Sequence, residues 1–153
     1  MSYIRKPLYI FDLDGTLALI GHRRWMLEGP KKDWAGFFVA CVDDPPNVPV
    51  IRTLKRLRKS GADVWIFSGR SISVHALTVA WLVKEIGSGV SDSLTMRSEG
   101  DFRSDVEVKQ EWLAGMSEED RERLVAVFDD RQCVVDMWRA NGVACFQVAQ
   151  GDF

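Results

Sequence analysis

The sequence predicts an α/β protein in which a parallel sheet lies between two layers of helices, the doubly wound three-layer arrangement. Four short, nearly all-apolar runs have the composition of parallel strands that are buried on both faces. Helical patterns, in which apolar residues recur every three to four positions, lie between these runs. Parallel strands that are joined by helices require right-handed crossovers, which place the helices on both faces of the sheet.

Five segments are predicted to be strands, of which the third is the least apolar. In chain order they are 8–11, 62–67, 93–96, 124–128 and 143–148. A helix is predicted to begin after Pro49, with apolar residues at spacing three, and to end before Gly61. The other long helices are predicted at 71–86, 105–113 and 132–140.

The composition is that of one globular domain over 1–153, with 46% hydrophobic and 27% charged residues. Twenty Lys and Arg against 22 Asp and Glu give a net charge of −2, which excludes a polycation that binds nucleic acid through bulk charge. The start of the chain lacks a secretory signal, and no apolar run approaches the roughly 18 residues of a membrane span. Three cysteines without a Cys-x-x-Cys pair are typical of reduced thiols, so we expect a cytoplasmic location.

Polar side chains follow three of the apolar runs. Asp12 and Asp14 follow the run 8–11, and Ser68 follows the run 62–67. Asp129 and Asp130 follow the run 124–128. Because the carboxyl ends of parallel strands meet at one edge of a sheet, we expect these residues to lie together. Residues i and i+2 of an extended segment point to the same side, so Asp12 and Asp14 can face one small volume.

Four acids at one sheet edge repel each other unless a hard cation lies among them. Carboxylate oxygens are the ligands that Mg²⁺ prefers, and a bound cation also attracts a phosphate. One ionised aspartate can then act as nucleophile while a second acts as general acid and base. Lys109 can balance the charge on the transferred phosphoryl group, and Ser68 and Gly69 can offer a hydroxyl and a backbone N–H to it.

The segment Asp12-Leu13-Asp14-Gly15-Thr16-Leu17 resembles the first motif of the haloacid dehalogenase (HAD) superfamily of phosphohydrolases. Ser68, Lys109 and the Asp129-Asp130 pair match the second, third and fourth motifs in the same order. The resemblance covers the whole chain. It implies a HAD-like, Rossmann-type sheet.

The same resemblance implies the roles of the acids. Asp12 would form an aspartyl-phosphate, and Asp14 would be the general acid and base. Asp12, the backbone carbonyl of Asp14 and an acid of the fourth motif would hold Mg²⁺. Asp130 is then the favoured direct ligand, and Asp129 would orient it or act through water. Ser68 and Lys109 would bind the phosphate.

Three further segments, 96–109, 128–139 and 142–153, resemble the phosphatase domain of the bacteriophage polynucleotide kinase-phosphatases. Those proteins remove 3′-phosphates and 2′,3′-cyclic phosphates from nucleic-acid ends. The resemblance implies that Arg23, Arg70 and Arg97 contact phosphate or backbone and that Asp105 joins the site. It also implies DNA or RNA 3′ ends as partners and, for a viral protein, the host cytoplasm. No Gly-x-x-x-x-Gly-Lys-Ser/Thr loop is present, so we expect a phosphatase domain without its kinase.

The insert 18–47 is too short for a large cap domain, so we expect a small cap-like insert and an open site that admits a polymer end. Segment 22–38 departs most from the family pattern and leaves open whether Arg23 or Arg24 serves. Its basic and aromatic residues, among them Trp25 and Trp34, are typical of stacking platforms for single strands. A short amphipathic helix over 34–42 that buries two phenylalanines is the other interpretation.

The predicted function is that of a Mg²⁺-dependent polynucleotide 3′-phosphatase with a phospho-aspartate intermediate. A nucleotidase or a general phosphomonoesterase is the alternative, favoured if segment 22–38 folds as a lid. A catalytically silent HAD-like binding module is disfavoured because both Asp12 and Asp14 are present. The preference for DNA or RNA, activity on cyclic phosphates and self-association stay open.

Overall fold

A computed structural model of the chain describes residues 5–151. In this described part of the chain, five strands form one sheet: β1 Leu8–Phe11, β2 Asp63–Ser71, β3 Leu94–Arg97, β4 Leu124–Arg131 and β5 Cys145–Gly151. Their order is β3-β2-β1-β4-β5, and every neighbouring pair is parallel. The predicted α/β class is therefore confirmed, with β1 at the centre of the sheet.

Within residues 5–151, six α-helices lie between the strands: α1 Trp34–Val39, α2 Val48–Lys59, α3 His75–Glu85, α4 Asp105–Gly115, α5 Glu118–Arg123 and α6 Gln132–Ala140. Among the described residues, no helix combines the length and the apolar composition that crossing a membrane requires. Short 3-10 segments lie at Gly21–Leu27, Ala40–Asp43, Ile72–Val74 and Val90–Ser93.

The two faces of the sheet carry separate hydrophobic cores because adjacent strand residues point to opposite sides. Phe11 and Ile66 face one core, which α2 and α3 complete with, among others, Ile51, Leu54, Trp81 and Leu82. Ile10 and Phe67 face the other, which α4 and α6 complete with Leu113, Val134, Val135 and Trp138. Helices on both faces are thus confirmed.

The strand ends differ from the predicted ones. β2 and β4 extend to Ser71 and Arg131, past an irregularity in register that begins at Ser68 in β2 and at Asp129 in β4. β5 begins two residues later than predicted, because the N–H of Val143 still bonds to the last turn of α6, at the carbonyl of Trp138. The candidate site residues of β2 and β4 therefore lie on distorted strand ends, where side chains can turn toward one point.

Helix α5 was not predicted. Its six residues carry no apolar side chain that could show a periodic pattern, and none of them is buried. Ser117 caps the helix by accepting a hydrogen bond from the N–H of Asp120. Its first turn is acidic and its last turn is basic, which suits the helix dipole.

The insert between β1 and α2 consists of two 3-10 segments and the six-residue helix α1, so no large cap is present. Its two ends are joined beside β1, where the N–H of Leu19 bonds to the carbonyl of Pro45 and that of Asn47 to the carbonyl of Leu17. Helix α1 is shorter than the predicted 34–42; Phe37 is buried and Phe38 half-buried.

Candidate active site

Three acids from two neighbouring strands meet at the carboxyl edge of the sheet. Asp12 follows β1, and Asp129 and Asp130 lie near the end of β4, which pairs with β1. One carboxylate oxygen of each lies within 4.8 Å of the others, and all three residues are buried. The structure thus brings together the two strand ends on which the predicted magnesium site depends.

Lys109 reaches this group from α4. Its Nζ donates to Asp12 Oδ1 at 2.6 Å and to Asp129 Oδ2 at 2.8 Å. Burial alone would lower the pKa of Lys109, but the two carboxylates raise it above its usual range, so the ammonium stays charged. When all three carboxylates are ionised, they and the ammonium leave two negative charges in this space, the charge that a divalent cation neutralises.

Burial raises the pKa of Asp12 well above its ordinary value, Asp129 and Asp130 add to this, and Lys109 opposes it. Burial and the charge of Asp129 also raise the pKa of Asp130, to about 6. Both carboxyls therefore hold protons more tightly than exposed ones do. A cation placed between them would favour their charged forms, so the residues fit a hard divalent ion.

Thr16 and Gly15 support the acids from the turn that follows β1, and their contacts with the acids were not predicted from the sequence. Thr16 Oγ1 donates to Asp12 Oδ2 at 3.0 Å and lies 3.5 Å from Asp130 Oδ1. Gly15 has φ +87°, and the Asp130 carboxylate occupies the space that a Cβ at Gly15 would need. Both residues belong to the Asp12–Leu17 motif, so the motif itself was the signal.

Asp14 lies against two arginines. Its Oδ1 accepts hydrogen bonds from Arg23 Nη2 at 2.8 Å and from Arg70 Nε and Nη2 at 3.0 and 2.6 Å. Burial would raise the pKa of Asp14, but Arg70 and Arg23 outweigh it and lower the pKa. The side chain is 22% exposed, whereas both arginine side chains are 0% exposed. The carboxyl of Asp14 is therefore both fixed and reachable.

Asp44, which sequence reasoning missed, holds the other side of the same arginines. Its carboxylate accepts from Arg23 Nε and Nη2 at 2.7 and 2.6 Å and from Arg70 Nη2 at 2.9 Å. His22 Nε2 lies 2.7 Å from Asp44 Oδ1. Asp44 follows an exposed acid, Asp43, and precedes a proline, a setting typical of a surface turn, so no sequence pattern marked it.

Arg23, not Arg24, points into the site. Arg23 is buried, with its guanidinium 4.2 Å from the ring centre of Phe37, whereas Arg24 is exposed. Thr78, on α3, accepts a hydrogen bond from Arg70 Nη1 at 3.3 Å and was also missed. Both guanidiniums are thus buried and bonded to the carboxylate of Asp14. A phosphate contact through them stays a prediction.

Ser68, Gly69, Arg97 and Asp105 form the other side of the site. Ser68 is buried, and its Oγ accepts from the N–H of Arg70 at 3.2 Å. Arg97 Nε donates to the carbonyl of Gly69 at 2.9 Å, and its Nη2 donates to Asp105 Oδ1 at 2.5 Å. A Cβ at Gly69 would lie 2.5 Å from Asp105 Oδ1, so only glycine allows this close approach. Asp105 also pairs with Arg131, 3.1 Å away.

The two interpretations of segment 22–38 each describe part of it. Trp25 and Trp34 are 64% and 49% exposed, as stacking platforms require. Phe37 is buried, and the Trp34 ring stacks on Phe38 with ring centres 5.9 Å apart, as in an amphipathic helix. A nucleic-acid contact at the tryptophans stays a prediction.

A family profile described as the polynucleotide kinase PNKP phosphatase domain matches residues 6–153. A protein of Autographa californica nuclear polyhedrosis virus, named as a bifunctional polynucleotide kinase/RNA ligase, is 32% identical over 133 residues. The match covers 84% of this chain and 17% of the viral protein.

Solved structures agree with this match. A chain of the Pnkp1/Rnl/Hen1 RNA repair complex is 34% identical to this chain, with a TM-score of 0.78. The matched region covers 97% of this chain and 44% of the chain in that complex. This chain therefore spans less than half of that relative. The class C acid phosphatase of Bacillus anthracis shows the same fold, with a TM-score of 0.70 and 16% sequence identity. That match covers 99% of this chain and 70% of the phosphatase chain. With the profile matching nearly its whole length, the chain belongs to the PNKP phosphatase-domain family of HAD-type hydrolases.

Proposed function

We propose that the chain is a Mg²⁺-dependent polynucleotide 3′-phosphatase. The observation that carries this proposal is the convergence of the buried Asp12, Asp129 and Asp130 with Lys109, beside the partly exposed Asp14. Membership of the PNKP phosphatase-domain family supports a nucleic-acid end as substrate. The names of two relatives refer to RNA ligation and RNA repair, so RNA ends are the first substrate to test.

In the first step of this proposal, a carboxylate oxygen of Asp12 attacks the phosphorus of the 3′-phosphate. The bond from phosphorus to the 3′-oxygen breaks, and Asp14 protonates that oxygen as it leaves. Water then attacks the phospho-aspartate while Asp14 takes a proton from it, which releases inorganic phosphate and restores Asp12.

The environment of Asp14 suits both of its roles. In the free protein, Arg70 and Arg23 lower its pKa, which favours the base. A phosphate dianion that arrives beside Asp14 raises that pKa again and favours the acid. The two arginines therefore serve chiefly to hold Asp14 in place.

The remaining groups would bind the phosphate. Lys109 keeps its charge in the buried site, and the Ser68 hydroxyl and the Gly69 N–H, both on β2, would donate to the phosphate oxygens. Asp12, Asp130 and the backbone carbonyl of Asp14 would hold the cation, with Asp129 orienting them. Bound there, Mg²⁺ would neutralise phosphate charge and keep the carboxylates ionised.

The test is a substrate panel with Mg²⁺ and with EDTA. It compares 3′-phosphorylated, 5′-phosphorylated and 2′,3′-cyclic RNA and DNA oligonucleotides with nucleoside 3′-monophosphates. We expect Mg²⁺-dependent release of phosphate from 3′-phosphorylated oligonucleotides above all others, because the small insert leaves the site open to a strand. Faster turnover of mononucleotides would instead assign the chain as a nucleotidase.

The variant Asp12→Asn tests the covalent step. We expect no measurable turnover and an unchanged fold by circular dichroism, because the amide removes the nucleophile and one of three repelling charges. The matched control is Asp92→Asn, an exposed acid outside the site, which should keep full activity. Activity that persists in Asp12→Asn would contradict the phospho-aspartate mechanism.

A further inference from the structure

Phe102 lies in the loop 98–104 between β3 and α4, and its side chain is 95% exposed. It is the most exposed large apolar residue among those the structure describes. A single exposed apolar side chain is common in proteins and by itself indicates nothing. What distinguishes Phe102 is the way in which the backbone on both sides of it is held.

One guanidinium fixes the two peptide carbonyls that flank Phe102. Arg97 Nη1 donates to the carbonyl of Asp101 at 3.2 Å and to that of Arg103 at 2.5 Å. Asp101 Oδ1 accepts from the N–H of Arg103 at 3.1 Å, and the two side chains form an ion pair. The ring is therefore presented to solvent on an ordered backbone, so little entropy would be lost when a ligand packs on it.

The same guanidinium connects this loop to the active site. Arg97 also donates to the Gly69 carbonyl and to Asp105, the residues beside the proposed phosphate position. Phe102 precedes Asp105 by three residues, a separation of at most about 10 Å. Successive nucleotides of a stacked strand advance by ~3.4 Å along the axis of the strand. A base within the last three nucleotides of a bound strand can therefore reach the ring.

The charges near the ring favour a base over a phosphate. Arg103 pairs with Asp101 and with Glu111, and Arg97 pairs with Asp105. These arginines are thus already neutralised by carboxylates and leave little positive charge to attract a strand backbone. An aromatic face needs no charge to bind a base, because every base offers a π-face of its own.

We propose that Phe102 is a stacking platform for a base within the last three nucleotides of the substrate strand. This subsite rests on the proposed 3′-phosphatase function. It supplies affinity for a polymer end that a small phosphate ester does not receive.

The test measures kcat/KM for Phe102→Ala and Phe102→Trp on two substrates, a 3′-phosphorylated oligonucleotide and glycerol 2-phosphate, which has no base. Phe102→Ala should lose about 5- to 100-fold on the oligonucleotide, the effect of one lost base stack. It should lose nothing on glycerol 2-phosphate, and Phe102→Trp should keep oligonucleotide activity. The control Val125→Ala removes an exposed apolar side chain at the start of β4, where the strands begin and far along the strand from the site at their carboxyl ends. It should leave kcat/KM unchanged for both substrates.

Abasic residues locate the stacked base. An abasic residue at one of the last three positions should erase the difference between wild type and Phe102→Ala, while the other positions preserve it. Equal losses on both substrates would show a damaged loop and overturn the stacking role. An unchanged oligonucleotide rate would also overturn it and leave the 3′-phosphatase function standing. Wild-type protein that hydrolyses only glycerol 2-phosphate would overturn both.

Discussion

Asp44 is the residue on which the surroundings of Asp14 depend most directly. It is buried, binds both arginines that hold Asp14, and accepts a hydrogen bond from Trp81 Nε1 at its backbone carbonyl, 2.9 Å away. Two carboxylates and two guanidiniums therefore alternate in this group, and their charges cancel. Because a buried ion needs its partner, neither aspartate can be removed without consequence for the arginines.

The variant Asp44→Ala should lower the free energy of unfolding by about 3–5 kcal/mol, since it leaves two buried guanidiniums with one carboxylate. Turnover should fall as well, because Arg23 and Arg70 lose the anchor that orients them toward Asp14. Urea denaturation and phosphate release measure the two effects. The neighbouring acid Asp43 is exposed, and Asp43→Ala should change neither. Wild-type stability in Asp44→Ala would contradict this role.

Single residues were predictable where they belong to a contiguous motif. Asp12 and Asp14 are two positions apart and follow an apolar strand, a pattern that is visible in the chain itself. Asp44 binds residues that lie 21 and 26 positions away. No local pattern encodes such a contact, because it forms only when the insert folds back onto the end of β2.

The turn after β1 is the element that positions the acids. Gly15 adopts a positive φ there, which lets the chain turn away directly after Asp14, and its missing side chain leaves the space that the Asp130 carboxylate occupies. Glycine at this position therefore permits the turn and also permits the close approach of Asp130 from the end of β4.

The variant Gly15→Ala should therefore lose activity and cation binding. The control Gly29→Ala has a similar φ, +80°, but nothing lies within 4 Å of its Cβ position. Both variants should lose about 1 kcal/mol of stability from the strained backbone. Only Gly15→Ala should displace Asp130, which Mg²⁺ titration and phosphate release would detect. Equal activity in the two variants would show that the close approach to Asp130 is unimportant.

Helices and strands were predictable where burial imposes a period. Helices α2, α3, α4 and α6 each bury an apolar face and were predicted near their observed bounds. α5 buries nothing and was missed. The distorted ends of β2 and β4 were missed as well, since their pairing continues with polar residues that carry no apolar pattern.

At the scale of the whole molecule, the strand order decides where the acids meet. β1 lies between β2 and β4, so its carboxyl end is flanked by Ser68 on one side and by Asp129 and Asp130 on the other. Like charges are concentrated there at a cost in stability that a bound cation would remove.

Mg²⁺ should accordingly raise the melting temperature. At 100 times its Kd a ligand stabilises by about 2.7 kcal/mol, which corresponds to about 5–10 °C for a chain of this size. The variant Asp130→Asn should lose most of this increment, and Na⁺ at equal ionic strength should not reproduce it. An equal increment in the variant would exclude Asp130 as a ligand.

The rise in melting temperature that Mg²⁺ causes should become larger as pH increases through about 6. Asp130 has a folded pKa of about 6 against an ordinary 3.8, so between these values the folded chain binds more protons than the unfolded one. Without the cation, stability should therefore decrease as pH rises from about 4 to about 6. With Mg²⁺, ionised carboxylates bind the ion, so affinity increases over the same range. Thermal melts at pH 4.5, 6 and 7.5, with and without Mg²⁺, would measure both trends. An increment that is independent of pH would contradict this coupling.

By itself, the sequence determined the alternation of strands and helices, the two-sided burial of the sheet and the placement of acids directly after apolar strands. These properties are local, because the burial of one face of a helix or strand requires apolar residues at regular intervals along the sequence. Only the tertiary structure decided that Lys109 bridges Asp12 and Asp129, that Thr16 reaches Asp130 across 114 positions and that Asp44 holds the arginines behind Asp14. Such contacts depend on strand order and on the path of the insert, which arise from the packing of the whole chain.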